Sequence, residues 1–440
     1  MKISDINIKI ISDSRGKDTL EAELKSEDFS AKASAPAGKS IGTHEAFVLE
    51  PKLALKKFEE IKTKILSNEF ESQENFDNFL IELDGTPSTS SGQAPSTSSG
   101  QAPSTSSGQA PSTSSGQAKS NLGGNLILSL SLAFARLKAK NERLELFNYI
   151  SHQSLVVGRK SKNLLRPIFN VINGGAHATH RESKLEIQEF QVIPEVDDFN
   201  IAFSLGKIFY RKLGNYLKDK FGSENVFLGD EAGYSAPFKN NEEAIECLAE
   251  IIEKYKYPLK IGLDIAAAQF YRDGFYIVDG KKYSAEELKN YYLKLIETYN
   301  ILSIEDPFNE EDFSSFALLT TELYGTNAEQ CGKLVIADDL TTTNIERLKI
   351  AINKKSGNAI LIKPNQIGTL TETLKVIKFA YENNWQAIVS HRSGETLDDF
   401  IADLAIGVGA WGIKAGAPAK PERLAKYERV LTIQNANIKM

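Results

Sequence analysis

Two different spacings of apolar residues divide the chain. In the first 150 residues, Ile6 to Ile11 and Leu20 to Leu24 alternate apolar with polar positions, the two-residue period of half-buried strands. Leu53 to Ile65 and Gly123 to Lys140 instead repeat at helical spacing, so this part reads as a small α+β domain. Beyond Leu165 the pattern changes to short β-rich apolar runs, each followed by enough chain for one helix and two loops, the mark of βα units.

Eight such runs occur. RPIFNVING and EIQEFQVIP come first, followed by PLKIGLDIA, YNILSIEDPF, KLVIADDL, NAILIKPNQ, WQAIVSHRS and WGIKAGAP. Eight strands close a barrel, so the expected fold is α/β, a (β/α)8-type barrel over residues 151–440 with a smaller N-terminal α+β domain over residues 1–150. The last six runs end on Asp264, Glu305, Asp338, Lys363, His391 and Lys414. If all strands run in parallel, these groups gather at one mouth, where barrel active sites lie.

One segment belongs to neither pattern. Pro87 to Ala118 is the octapeptide PSTSSGQA repeated four times without variation. It offers too little apolar surface to offset the entropy of ordering it, and eight polar residues cannot form a solenoid unit, so it reads as a flexible insert in the first domain.

Composition narrows the function. The 440 residues are 41% hydrophobic and 25% charged, a globular balance, and the net charge of −6 gives no positive field for nucleic acid or anionic lipid. The first residues carry acids and no uninterrupted apolar core, so no secretion signal is read there. The longest apolar stretch, Leu126 to Ala135, is too short to span a bilayer. Cys247 and Cys331 stand far apart without CxxC spacing, which indicates neither a zinc site nor a disulfide framework and suits a reducing cytoplasm.

Asp264, Glu305 and Asp338 would form a hard, all-oxygen cluster suited to Mg²⁺. Any one of them alone reads equally as a solvated loop acid, but the same offset on three consecutive strands favours the cluster. Lys363 follows the apolar run AILI, and beside bound cations its pKa is expected to fall toward that of a useful base, the alternative being a lysine that reaches out from a strand end. Gly407, Gly409 and Gly412 spell GxGxxG, but a helical pattern precedes them and a strand follows, the reverse of a dinucleotide site. His44, His152 and His180 lack metal-ligand spacing, and structural roles are expected for them.

Taken with their order, NGGAHA, IQEF, GDEAG, SIEDPF, ADDLTTTN, LIKPNQIGTLTET, SHRSGET, IKAGAP and ERLAKY resemble the motifs of the enolase family. So do DSRG, PAGKSIG and LDGT in the first domain, and the resemblance covers the chain except Pro87 to Ala118. It implies an enolase-like ββαα(βα)6 barrel and a hydro-lyase that interconverts 2-phosphoglycerate and phosphoenolpyruvate with two Mg²⁺. By resemblance, Asp264, Glu305 and Asp338 are metal ligands and Ser40 of the lid binds the second ion. Lys363 is the general base and Glu231 the general acid, with Glu189 and His391 beside the leaving hydroxyl. Arg392 and Ser393 grip the phosphate, Lys414 the carboxylate, and His177 and Gln188 line the substrate. The family also implies a homodimer or octamer, a cytoplasmic location with a surface or secreted fraction possible, no nucleic acid and no membrane span.

The departures are local. Ala37, Lys39 and Ile41 replace small or hydroxylic lid residues, Ala232 stands where the family prefers Gly, AAAQF replaces ASEF, and the chain between His177 and Glu189 is longer than usual. An acid-sugar dehydratase or racemase would share the metal acids but not SHRSGET or IKAGAP. A scaffold or adhesin built on the Ser/Thr-rich repeat would tolerate loss of a catalytic group, and none is lost.

Overall fold

The computed structural model describes all residues except 40, 41, 43, 86–118, 155–164, 325–331 and 438–440. The octapeptide insert, Ser40 and Cys331 therefore lie outside the described residues.

The expected first strands form as β1 (Asp5–Ser12) and β2 (Asp18–Lys25), paired antiparallel with Ile6 opposite Leu24 and Ile8 opposite Ala22. A third strand, β3 (Ser30–Ser34), completes the small sheet by pairing with β2. Leu20, Ala22, Leu24, Ala31 and Ala33 point inward, and the intervening Glu and Lys residues point out. Helix α1 (Pro51–Leu66) starts where the Glu50 carboxylate accepts from the Leu53 amide and Pro51 fills the first turn. Helix α2 (Gln73–Asp84) is capped by Ser72 and ends on Gly85 at φ 82°. Helix α3 (Gly124–Asn141) is buried on nearly every side between the sheet, α2 and the barrel, which explains why Leu126 to Ala135 is apolar all round. No helix among the described residues is long and apolar enough to cross a membrane.

The barrel strands are β4 (Arg166–Asn173), β5 (Glu189–Pro194), β6 (Leu259–Asp264), β7 (Ser303–Glu305), β8 (Leu334–Ala337), β9 (Ala359–Ile362), β10 (Gln386–Ser390) and β11 (Gly412–Lys414). Pairing of β11 with β4 closes the ring. Ile168, Ile193, Leu334, Ile336, Leu361 and Ile388 fill its interior, while alternate residues such as Val335 and Ile360 pack outward in the larger core, so each strand reads as a continuous apolar run.

The ring follows the ββαα(βα)6 order that the resemblance implies and not a uniformly parallel one. The strands are not all parallel, because β5 runs antiparallel to both β4 and β6. The connection from β4 to β5 holds only a three-residue 3₁₀ turn, Gly175–His177, and without a crossover helix the chain turns back on itself. Two helices, Phe199–Phe221 and Asn241–Tyr255, then follow before β6, giving the ββαα(βα)6 order. The consequence for chemistry is that β5 starts, rather than ends, at the mouth, and its first residue, Glu189, lies opposite Asp264 of β6.

Candidate active site

Asp264, Glu305 and Lys414 are the last residues of their strands, and Asp338, Lys363 and His391 each follow theirs by one. All except Glu305 line one cavity at the mouth, together with His177, Gln188, Glu189, Glu231, Arg392 and Ser393. Glu305 lies immediately beneath, its Oε2 2.9 Å from Lys414 Nζ.

Lys414 holds the centre. Its ammonium lies 2.9 Å from Glu189, 3.1 Å from Asp264 and 2.9 Å from Glu305. Lys363 instead pairs with Asp338, whose second oxygen accepts from Gln366 at 3.0 Å. The three expected metal ligands are thus divided between two ammonium groups rather than drawn onto one point. Burial works against the charged form of Lys363, but the Asp338 carboxylate outweighs it and raises the lysine above its ordinary value. The expected lowering concerns the amine beside bound cations, a setting that this pairing with Asp338 does not address.

The acidic turn is strained. Asp306, Thr342 and Thr343 all have φ between 43° and 51°, and two of them are β-branched. Asp306 holds the turn by accepting from the Asp338 amide at 3.0 Å and the Asp339 amide at 2.7 Å. Acids outnumber the basic groups facing them: Glu45, Glu189, Glu231, Asp264, Glu305, Asp338 and Asp339 stand against Lys39, Lys363, Arg392 and Lys414. Burial and the Asp264 charge push Glu305 well above the ordinary carboxylate range. An all-oxygen donor set short of positive charge fits a hard divalent cation.

Across the ring, β4, β5 and β10 build a different cluster. His177 Nδ1 lies 3.6 Å from Glu189 and 3.7 Å from Glu231, so the longer loop still delivers His177 to the site. Glu231 accepts from Asn170 at 3.0 Å and faces His391 Nε2 at 3.4 Å. The buried Arg423 guanidinium, which can only donate, bonds His391 Nδ1. That nitrogen must therefore accept, leaving the imidazole proton on Nε2 toward Glu231. Burial lowers His391 to about 4, so the ring is neutral. Burial, aided by the neighbouring Glu231 charge, pushes Glu189 well up, whereas Glu231 is held low against burial by the groups around it. The two neighbouring carboxyls are thus pushed in opposite directions, Glu189 toward its neutral form.

Sequence reasoning missed several supporting residues. Arg423 also donates to the carbonyls of Arg392 (2.7 Å), Ser393 (2.6 Å) and Asp230 (3.2 Å), tying the SHRSGET turn to the GDEAG loop. Arg15 clamps Asp13 at 2.8 Å and donates to Ser393 Oγ at 3.3 Å. Both sit inside motifs quoted above, ERLAKY and DSRG, which were the available signal. Glu45 and Asn170 carried none. Elsewhere, His44 bonds Glu311 and Arg347, the structural role expected of it.

The chain was compared with known proteins. Its residues 161–438 match the model described as enolase, C-terminal TIM barrel domain, and residues 3–94 match that of the enolase N-terminal domain. It is 38% identical to the enolase of Methanocaldococcus jannaschii, covering 98% of this chain and 95% of that one. The enolase of Methanosarcina acetivorans is 37% identical, with 98% and 94% covered, and that of Sulfurisphaera tokodaii 38%, with 97% and 94%. The chain belongs to the enolase family.

The departures from enolase motifs now have structural settings. Ala232 adopts φ 66° with its methyl fully buried, the conformation for which Gly is the natural choice. Gln269, in AAAQF, donates to Gln188 Oε1 and accepts from the Ala176 amide at 3.1 Å, while Gln188 donates to Asp264 at 3.3 Å. Lys39 reaches Asp230, the neighbour of Glu231, at 3.2 Å.

Proposed function

We propose that this chain is an enolase in activity, a lyase that reversibly dehydrates 2-phosphoglycerate to phosphoenolpyruvate with two Mg²⁺. The observation that carries the reading is the placement of Lys363 relative to the Glu189, Glu231 and His177 cluster. Lys363 follows β9 and Glu189 opens β5, four strands apart in a ring of eight, so a base and a proton donor face each other across the mouth. Removing a proton from one carbon and protonating a hydroxyl on the next requires that opposition.

In this mechanism Arg392 and Ser393 bind the phosphate and Lys414 the carboxylate of the substrate, which presents carbon 2 to Lys363. Lys363 takes the proton from its neutral form, available once Asp338 is engaged elsewhere than on its ammonium. The Glu189 and Glu231 pair supplies the proton to the departing hydroxyl on carbon 3, with Glu231 as the transferring acid and Glu189 as the reserve. His177, whose Nδ1 has no hydrogen-bond partner among the described residues, and the His391 Nε2–H orient that hydroxyl. Asp264, Glu305 and Asp338 would hold one magnesium ion and Ser40 would contribute to the second; when bound they supply positive charge against the second negative charge developing on the substrate carboxylate. Gln188 orients Asp264.

The same reading assigns residues 1–150 as the lid-bearing domain and 151–440 as the catalytic domain, in a cytoplasmic homo-oligomer. The experiment is the appearance of phosphoenolpyruvate absorbance with purified protein, 2-phosphoglycerate and Mg²⁺. A folded wild-type chain that makes no product under these conditions refutes the reading and favours a scaffold.

A further inference from the structure

Arg392 does not present an open guanidinium to the cavity. Its NH1 and NH2 bond the two oxygens of Glu45 at 2.7 and 3.1 Å, the two-point fork with which a guanidinium also grasps a phosphate. Glu45 Oε1 accepts in addition from the Gly42 amide at 3.1 Å. One carboxylate therefore collects an arginine fork and a backbone N–H, a donor set that suits any tetrahedral oxyanion. Both side chains line the cavity, and they are only 5% and 6% exposed.

We propose that Glu45 is an internal counter-anion that the substrate phosphate must displace from Arg392, so that this carboxylate sets the affinity and selectivity of the site for phosphorylated ligands. The inference rests on the reading of Arg392 as the phosphate-binding group. Its alternative, a buttress that merely holds Arg392 in place, has the opposite consequence. Arg392 NH1 also donates to Asn365 Oδ1 at 3.3 Å, so neutralising Glu45 leaves the guanidinium positioned but with less counter-charge, that of Asp338 and Asp339 remaining nearby. A buried cation in that state binds an incoming anion more tightly. Loss of a buttress would bind it more weakly.

The test uses Glu45→Gln in the full chain, with inorganic phosphate and phosphoenolpyruvate titrated calorimetrically and 2-phosphoglycerate turnover followed by absorbance. The expected result is a Kd for phosphate lower by about tenfold, the worth of one charge-assisted contact. KM should fall in parallel, kcat should fall because the phosphorylated product leaves slowly, and inhibition by unphosphorylated glycerate should change less than phosphate binding. Phosphate should also raise the Tm of the variant more than that of the wild type. If Glu45→Gln folds poorly, Glu45→Asp, which keeps the charge but is one methylene shorter and so reaches the fork less well, should shift phosphate affinity in the same direction by less. Unchanged or weaker phosphate binding in a folded variant overturns the inference while leaving an active wild type untouched. An inactive wild type overturns the functional reading instead.

Discussion

Glu189 and Asp264 lie opposite each other on antiparallel strands, the first residue of β5 against the last of β6. Lys414 closes the pair at 2.9 and 3.1 Å, joining the acid side of the mouth to the metal-ligand side. Reversal of one strand thus adds a carboxylate to a rim that a uniform parallel barrel would build from strand ends alone.

Ala232 gives the first prediction. A non-glycine residue at φ 66° costs about 1 kcal/mol, partly offset by the burial of its methyl. Ala232→Gly should raise stability by up to about 1 kcal/mol, read as a shift of the urea midpoint at constant slope. A destabilised variant would mean that the methyl contributes more than the backbone strain costs.

His391 sets an acid limit on stability. Its pKa falls from 6.5 to about 4 on folding because burial penalises the charged ring. The unfolded chain therefore binds the extra proton first. Stability contributed by the neutral ring is complete above pH 6.5 and is lost progressively as pH falls toward 4, by roughly 3 kcal/mol. His391→Asn cannot take up the proton, so its unfolding free energy should depend less steeply on pH across that window, whatever its value at pH 7. Parallel slopes for the two proteins would contradict the assignment.

The octapeptide insert should be dispensable. Asp84, just before it, accepts from the amides of Asn121 (3.1 Å) and Leu122 (2.6 Å) just after it, so the two ends are already stitched together. Excising 87–118 should leave kcat/KM within about twofold and Tm nearly unchanged, since loop length changes closure entropy slowly. A loss of more than about tenfold in activity would give the repeat a role in the site.

The strand-end residues were legible in the sequence because buried parallel strands are unbroken apolar runs, and Asp264, Glu305 and Lys414 interrupt theirs at the barrel mouth. The direction of a strand leaves no mark in such a pattern, so the reversal of β5 was legible only through the family resemblance. The position of Lys363 on the rim followed from the βα repeat, but the Asp338 oxygen that bonds it depends on a turn held by Asp306 and strained threonines, which no strand pattern encodes. Glu45 and Arg423 act through contacts spanning 347 and 32 positions, which no local spacing encodes.

The central claim is that a base at Lys363 works against a proton donor across the barrel mouth, and it is tested most directly by phosphoenolpyruvate formation in wild type and Lys363→Ala with matched circular dichroism. The wild type should turn over, stop on chelation and recover with Mg²⁺, while Lys363→Ala should lose roughly a thousandfold or more in kcat. A folded Lys363→Ala protein that turns over at close to the wild-type rate would contradict the account.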